Sequence, residues 1–334
     1  MSMPRVSERR LFGRLGVGVM LLSCATLAGA QAAADPAQWL SRMRQAATNR
    51  TYQGTMAFAA GSQVSSSRVT HISEGRERYE RIEALDGQMR QQFRHNGALL
   101  TLWPQTRVAI VEQVEPIADF PALPASSQRA LESYEIRSIG SDRVAGHEAE
   151  VLLLKPRDAL RFGQRLWAER ETGLLLRTEV LSPRGDVLES ASFTDLSIGG
   201  KLAPESVLKP MKKKLDGYRV VRPQAQPTQL DAEGWSLKGS VPGFQLLNCV
   251  KRPLDAADEA GAELQVLQSV FSDGLTHVSV FIERFDAQRH KPMRTMLGAT
   301  HSLMNRHGDW WVTIVGDVPM ATIQQFEALL QRRP

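Results

Sequence analysis

Histidine, serine and cysteine are the side chains in this chain that could serve catalysis or metal binding. No GxSxG or SxxK sequence occurs where a strand is expected to lead into a helix, as a serine nucleophile requires. The seven histidines occupy scattered strand and turn positions and form no HExxH or comparable ligand set: His71, His95, His147, His277, His290, His301 and His307. The sequence therefore predicts no enzyme and no metal site, and it implies no cofactor.

The chain has only two cysteines, Cys24 and Cys249. If Cys24 is removed with an N-terminal signal, Cys249 is alone and no intrachain disulfide can form. Cys249 lies in an apolar stretch, so we expect a buried structural thiol. The neighbouring Lys251 and Arg252 leave a reactive thiol open as the alternative.

Residues 1–34 predict an export signal. Four arginines precede an uncharged run from Leu15 to Ala34 that ends in small residues, and cleavage after Ala30, Ala32 or Ala34 fits this pattern. A retained membrane anchor, the twin-arginine route and acylation of Cys24 remain open.

Most of the net charge of +5 belongs to this segment, which carries +3 and leaves the rest of the chain at +2. Nucleic-acid binding needs a concentrated basic face and is not predicted. One basic cluster remains, Lys209 to Lys214, with consecutive Lys212, Lys213 and Lys214. We expect either a solvated linker or a contact with an acidic partner or anionic lipid head groups.

The remaining sequence predicts a mainly β, α+β chain. A helix over 35–48 precedes six strands in a meander between 52 and 114, and Asn96-Gly97 supplies a two-residue hairpin turn. The proline-rich segment 115–127 is expected to be a long loop that could act as a lid. Five more strands follow between 134 and 196.

The predicted domains are an N-terminal domain over 35–200, a linker over 201–233 and a C-terminal α+β domain over 234–334. Four prolines with many Lys and Gln residues indicate the linker. Beyond it, two hairpins form a smaller antiparallel sheet, and a helix that begins near Pro319 packs on that sheet.

These two domains together resemble the MucB/RseB family of periplasmic regulators of the σE-type (AlgU-like) envelope stress response. The resemblance runs from about Trp39 to the C-terminus and has no short catalytic fingerprint. The resemblance rests on the segments YQGTMAF (52–58), RERYERIEALDG (76–87), RHNGALLTLWP (94–104), WAERETGLLLRTEVLSPRGDVLESASFTDL (167–196), VPGFQLLNC (241–249), QSVFSDGLTHVSVFIERF (268–285) and GDWWVTIVGDVP (309–319).

The resemblance implies a large curved antiparallel sheet, a half-barrel like that of lipoprotein carriers, that half-wraps an apolar cavity. It implies a periplasmic negative regulator that binds the periplasmic part of a transmembrane anti-sigma factor of the RseA/MucA type and shields it from site-1 proteolysis. Lipid or lipopolysaccharide fragments would release that partner. The alternative is a periplasmic lipid or lipoprotein carrier, and a homo-oligomer remains open.

Alternate side chains of a curved sheet face its cavity, so apolar residues of the predicted strands are candidates for a lipid-binding lining. An ordinary closed core is the alternative for each of them. Lys212, Lys213 and Lys214 are the candidates for contact with the partner. The lining candidates are Phe58, Phe93, Leu100, Leu102, Ile110, Trp167 and Leu175.

Overall fold

The computed structural model describes residues 36–113, 123, 129–257 and 263–333. The predicted export signal over 1–34 lies outside these residues. So does the predicted lid segment over 115–127, apart from Leu123, which is buried in the first domain.

The first part of the chain contains three helices and twelve strands among the described residues. The helices are α1 (Pro36–Asn49), α2 (Ala130–Ser133) and α3 (Glu205–Lys212). The strands are β1 (Tyr52–Ala60), β2 (Gln63–Glu74), β3 (Glu77–Ala84), β4 (Gln91–His95), β5 (Ala98–Trp103), β6 (Val108–Gln113), β7 (Tyr134–Val144), β8 (His147–Pro156), β9 (Gly163–Glu169), β10 (Leu175–Leu181), β11 (Val187–Ile198) and β12 (Arg219–Val221).

These twelve strands form one sheet in the order β12-β6-β5-β4-β3-β2-β1-β11-β10-β9-β8-β7. The predicted six-strand meander is therefore confirmed, and Asn96 has the positive φ of 51° that its hairpin turn requires. Strand β1 pairs antiparallel with β11, which joins the meander to the second group of strands. The sheet is open, because β7 and β12 lie at its two edges, and β12 pairs parallel with β6.

Helix α1 covers one part of this sheet. Its side chains Trp39, Leu40 and Met43 are buried against β8, β9 and β10, in a cluster that includes Leu152 and Leu175. The spacing of the three helical residues places them on one face, so this amphipathic stripe supplies the core contact.

The second part of the chain forms a smaller sheet of seven strands in the order β13-β15-β16-β17-β20-β19-β18. A separate two-stranded sheet pairs β14 with β21. Helix α4 (Met320–Leu329) buries Ile323 and Phe326 against the seven-stranded sheet. The strands are β13 (Gln226–Pro227), β14 (Trp235–Leu237), β15 (Gln245–Ala257), β16 (Glu263–Ser272), β17 (His277–Arg284), β18 (Met293–Leu297), β19 (Thr300–His307), β20 (Trp310–Gly316) and β21 (Leu330–Arg332).

The predicted fold class is confirmed: a large, mainly antiparallel open sheet with helices is followed by a smaller antiparallel sheet with a packed helix. The domain boundaries stay a prediction. The segment predicted as a linker contains α3 and β12, which pack on the large sheet, and β13, which pairs with β15 of the small sheet.

Candidate functional site

An open cleft lies between β5, β6 and the chain that follows α3. Its volume is about 320 Å³. Ala98, Leu99 and Leu100 come from β5, and Val111 comes from β6. The other lining residues are Met211, Lys213, Lys214, Leu215 and Arg222. The cleft therefore combines residues of the large sheet with residues of the predicted linker.

Helix α3 builds one side of this cleft because it lies across β3 and β4. Glu205 stands in its first turn and Lys209 and Lys212 in its last turn, the arrangement that a helix dipole favours. Val207 is fully buried among the apolar residues of β2 to β6, while Met211 is half-buried at the edge of that cluster. Packing of this apolar stripe fixes α3 and so places the residues after it.

The cleft has an apolar floor and a basic rim. Leu100 is buried and Val111 is half-buried in this floor, whereas Lys213, Lys214 and Arg222 are exposed. Leu99 borders the cleft, but alternation along β5 places its side chain on the face opposite Leu100. No acidic residue is among the lining residues. An apolar floor below cations suits an amphiphile, because an acyl chain gains from burial and an anionic head group gains from the nearby charges.

The seven predicted lining residues do not share one cavity. Phe93, Leu100 and Leu102 do lie together, in the closed cluster that α3 covers, and Phe93 faces Leu100 across paired strands. Of the seven, only Leu100 also lines the cleft. Ile110 is half-buried between the cluster residues Ala109 and Val111, and alternation along the strand places its side chain on the other face.

The remaining three predicted lining residues lie elsewhere in the large sheet. Phe58 is 44% exposed. Trp167 is buried in another cluster, where its Nε1 donates a hydrogen bond of 2.9 Å to Asp142. Leu175 is buried beneath α1. The strand pattern identified buried positions here but not the cluster to which each belongs.

The three predicted partner-contact lysines are all exposed, and they divide into two groups. Lys213 and Lys214 line the cleft, whereas Lys212, the last residue of α3, does not. The sequence analysis missed Met211, Leu215 and Arg222. The spacing of Val207, Met211 and Leu215 is the signal that could have indicated an amphipathic helix there.

A hydrogen bond and burial shift the pKa values of two side chains, Glu77 and Cys249. His95 Nε2 lies 2.6 Å from Glu77 Oε2, and this hydrogen bond lowers the pKa of Glu77. Cys249 is buried as predicted, and burial raises the pKa of its thiol, which disfavours the reactive thiolate. No group of three or more potential ligands within the described ranges could hold a metal ion.

No helix in the described part of the chain is long and apolar enough to cross a membrane.

Comparisons with known proteins match both domains. The family model of the MucB/RseB N-terminal domain matches residues 35–211, and that of the MucB/RseB C-terminal domain matches residues 229–331. Together they account for most of the chain, in the order that the sequence resemblance predicts.

Relatives match over nearly their whole length. The chain is 28% identical to the sigma factor AlgU regulatory protein MucB of Pseudomonas aeruginosa, over 92% of this chain and 94% of that protein. It is 23% identical to the sigma-E factor regulatory protein RseB of Haemophilus influenzae, over 86% of this chain and 88% of that protein.

Solved structures agree with these relatives. The crystal structure of MucB in complex with MucA(peri) matches with a TM-score of 0.67 and 26% identity, over 90% of this chain and 100% of that chain. The complex of Pseudomonas aeruginosa MucA and MucB matches with a TM-score of 0.68 and 26% identity, over the same shares of the two chains. The chain belongs to the MucB/RseB family.

Proposed function

We propose that this chain is a periplasmic negative regulator that binds the periplasmic part of a transmembrane anti-sigma factor. In this role it shields the anti-sigma factor from site-1 proteolysis and releases it when lipid or lipopolysaccharide fragments bind. The observation that carries the proposal is the match to a relative solved in complex with MucA(peri), which covers 90% of this chain and includes both domains.

The cleft supports the lipid part of the proposal. Each methylene group that enters an apolar site contributes about 0.8 kcal/mol, and cations at the rim add attraction for an anionic head group. Burial of even a few methylene groups therefore exceeds the roughly 1–3 kcal/mol that typically couples two sites. The ligand changes partner affinity only if it binds one state of the chain better than another.

Fluorescence anisotropy tests the proposal directly. The labelled periplasmic segment of the anti-sigma factor encoded in the same genome is titrated with the chain, with and without lipopolysaccharide fragments. A labelled periplasmic segment of an unrelated single-span membrane protein is the control. We expect saturable binding of the anti-sigma segment alone, and a weaker affinity when the fragments are present.

The same titration discriminates the carrier alternative. A carrier would bind the lipopolysaccharide fragments but not the anti-sigma segment, and that result would overturn the regulator proposal. The second domain favours the regulator, because a shuttle has no evident need for an additional α+β module. Partner binding that lipid leaves unchanged would remove the release step alone.

A further inference from the structure

A buried ion pair joins the two sheets of this protein. Arg161 lies in the connection between β8 and β9 of the large sheet, and Asp273 lies in the turn between β16 and β17 of the small sheet. Arg161 Nε is 3.0 Å from Asp273 Oδ2, and their side chains are 1% and 0% exposed. Charges this deeply buried are rare unless they have a partner, so each member specifies the position of the other.

Each member of this pair keeps partners on its own side. Arg161 Nη1 donates a hydrogen bond of 2.9 Å to Asp158, three residues earlier in the large-sheet domain. Asp273 Oδ1 accepts the backbone N–H groups of Leu275 and Thr276, both at 2.9 Å. The two charged groups would therefore retain hydrogen bonds, and gain water, if the sheets moved apart. This arrangement suits a contact that opens and closes.

The ion pair itself is not optimally aligned, because the N–H of Arg161 Nε has no hydrogen-bond acceptor in good geometry. Arg161 Nη2 donates a hydrogen bond of 2.8 Å to the carbonyl oxygen of Pro242, which precedes β15 of the small sheet. Tyr134 of the large sheet adds a long hydrogen bond of 3.4 Å from its hydroxyl to Asp273 Oδ2. The charge pair thus positions the sheets through several moderate interactions.

The rest of the contact combines polar and apolar groups: Leu160 packs against the core of the small sheet and Leu275 against that of the large sheet, and hydrogen bonds lie beside them. Glu189 of β11 accepts the backbone N–H of Ala299 at 2.9 Å, at the turn between β18 and β19. Thr322 Oγ1 of α4 donates a hydrogen bond of 2.6 Å to the carbonyl oxygen of Leu160. Polar contacts between domains of one chain commonly permit relative motion, unlike a continuous hydrophobic core.

The cleft is connected to this contact through the chain itself. Lys213, Lys214, Leu215 and Arg222 form one wall of the cleft. Strand β13 begins four residues after Arg222 and pairs with β15 of the small sheet. A ligand that displaces this wall would therefore also displace β13, and with it β15 of the small sheet.

We propose that Arg161 and Asp273 form a latch between the two sheets, and that an anionic amphiphile in the cleft opens it by displacing the chain between Lys213 and Arg222. This inference rests on the proposed function, since it names the regulation of that site. The closed latch holds the anti-sigma segment, and the opened latch releases it. The strength of the latch sets the ligand concentration at which release occurs.

Distance measurements by double electron–electron resonance test the latch. Spin labels are placed at Arg76→Cys, in the turn between β2 and β3, and at Ala287→Cys, between β17 and β18; both positions are exposed, and Cys249 is buried. The chain without its predicted export signal over 1–34 is used, which also removes Cys24. The probe is lysophosphatidylglycerol below its critical micelle concentration, and zwitterionic lysophosphatidylcholine is the control.

Asp273→Asn removes the charge that crosses between the sheets while its amide oxygen can still accept the turn N–H groups. Asp158→Asn makes the same chemical change to the other carboxylate on Arg161, but within the large-sheet domain. We expect Asp273→Asn to add a longer distance population and to lower the lysophosphatidylglycerol concentration for half-maximal opening about tenfold. Asp158→Asn should leave both readouts near wild type.

Thr322→Val provides a second test if Asp273→Asn fails to fold, because it removes only the hydrogen bond to Leu160. It should also lower the lysophosphatidylglycerol concentration for half-maximal opening. An unchanged distance distribution in the folded variants would overturn the latch. Binding of lysophosphatidylglycerol by calorimetry without any change in distance would also overturn it, while the lipid part of the proposed function would stand. Opening in Asp273→Asn without ligand binding to any variant would support the latch and overturn the lipid part.

Discussion

Neutralising the rim of the cleft should separate the binding of anionic amphiphiles from that of uncharged ones. The double variant Lys213→Gln, Lys214→Gln removes two of the three cations that line the cleft and leaves its apolar floor intact. Both side chains are exposed, so we expect the substitutions to leave the folding stability near wild type.

The size of the effect follows from the position of these charges. An exposed ion pair contributes up to about 1 kcal/mol, so the loss of two lysines costs up to about 2 kcal/mol of binding free energy. This corresponds to an affinity for lysophosphatidylglycerol that is lower by up to about 30-fold. The difference should shrink at high salt, because exposed charges are screened. The gain per methylene group, about 0.8 kcal/mol, should be unchanged, because the floor is untouched.

Isothermal titration calorimetry measures these affinities with lysophosphatidylglycerols of increasing chain length at low and high salt. The matched control is the double variant Lys209→Gln, Lys212→Gln, which removes the same charge from α3 at positions that do not line the cleft. We expect near wild-type binding in the control. Equal loss in both double variants, or equal loss for lysophosphatidylcholine, would refute a specific role of the rim.

Three further predictions concern stability. In Gly54→Ala the new Cβ would lie 2.2 Å from the carbonyl oxygen of Asp195, so we expect the free energy of unfolding measured with urea to fall by about 1–3 kcal/mol. Gly163→Ala is the control and should be tolerated, because its new Cβ would lie 3.6 Å or more from its neighbours. Equal effects of the two substitutions would contradict the steric argument. Burial and the neighbouring carboxylate of Asp317 raise the pKa of Glu189, so its carboxyl group stays protonated to a higher pH in the folded chain than in the unfolded chain. The free energy of unfolding therefore falls as the pH rises from the ordinary carboxyl pKa through the raised value. Glu189→Gln should remove that part of the decline in unfolding measured across pH, and an unchanged slope would count against it. Phe93→Ala should cost about 3–5 kcal/mol because Phe93 is 2% exposed in the cluster under α3, and a cost below 1 kcal/mol would show that this cluster is loosely packed.

The local elements of the large sheet could be predicted because their turns carry strong signals. Asn96 tolerates positive φ, and the alternation of β1 to β6 fixes a meander once the turns are placed. The pairing of β1 with β11 could not be predicted in the same way. It joins residues 129 to 146 positions apart, and no local pattern specifies such a partner.

Two kinds of element were missed for opposite reasons. Helix α3 contains Pro210, and its composition of prolines and lysines is typical of a linker, although its apolar stripe packs on the sheet. Strand β18 is exposed along its whole length, so it has no alternation of buried and exposed residues to reveal it. Packing on the large sheet decided the case of α3, and backbone pairing with β19 decided that of β18.

The candidate site was predictable only in its parts. The lysine cluster and the apolar strand residues were both identified from the sequence, but as separate features. Their junction depends on α3, which returns the chain to β5 and β6 and brings Lys213 and Lys214 beside Leu100. Arg161 and Asp273 were not singled out at all, because a buried pair 112 positions apart leaves no local signal.

Protection of the anti-sigma factor from proteolysis is the most direct test of the proposed function. The labelled periplasmic segment is digested by purified site-1 protease alone, with the chain, and with the chain plus lipopolysaccharide fragments; a protease substrate that the chain does not bind is the control. We expect the chain to slow cleavage of the segment and the fragments to restore it. Cleavage at the same rate with and without a saturating amount of the chain would contradict the proposed function.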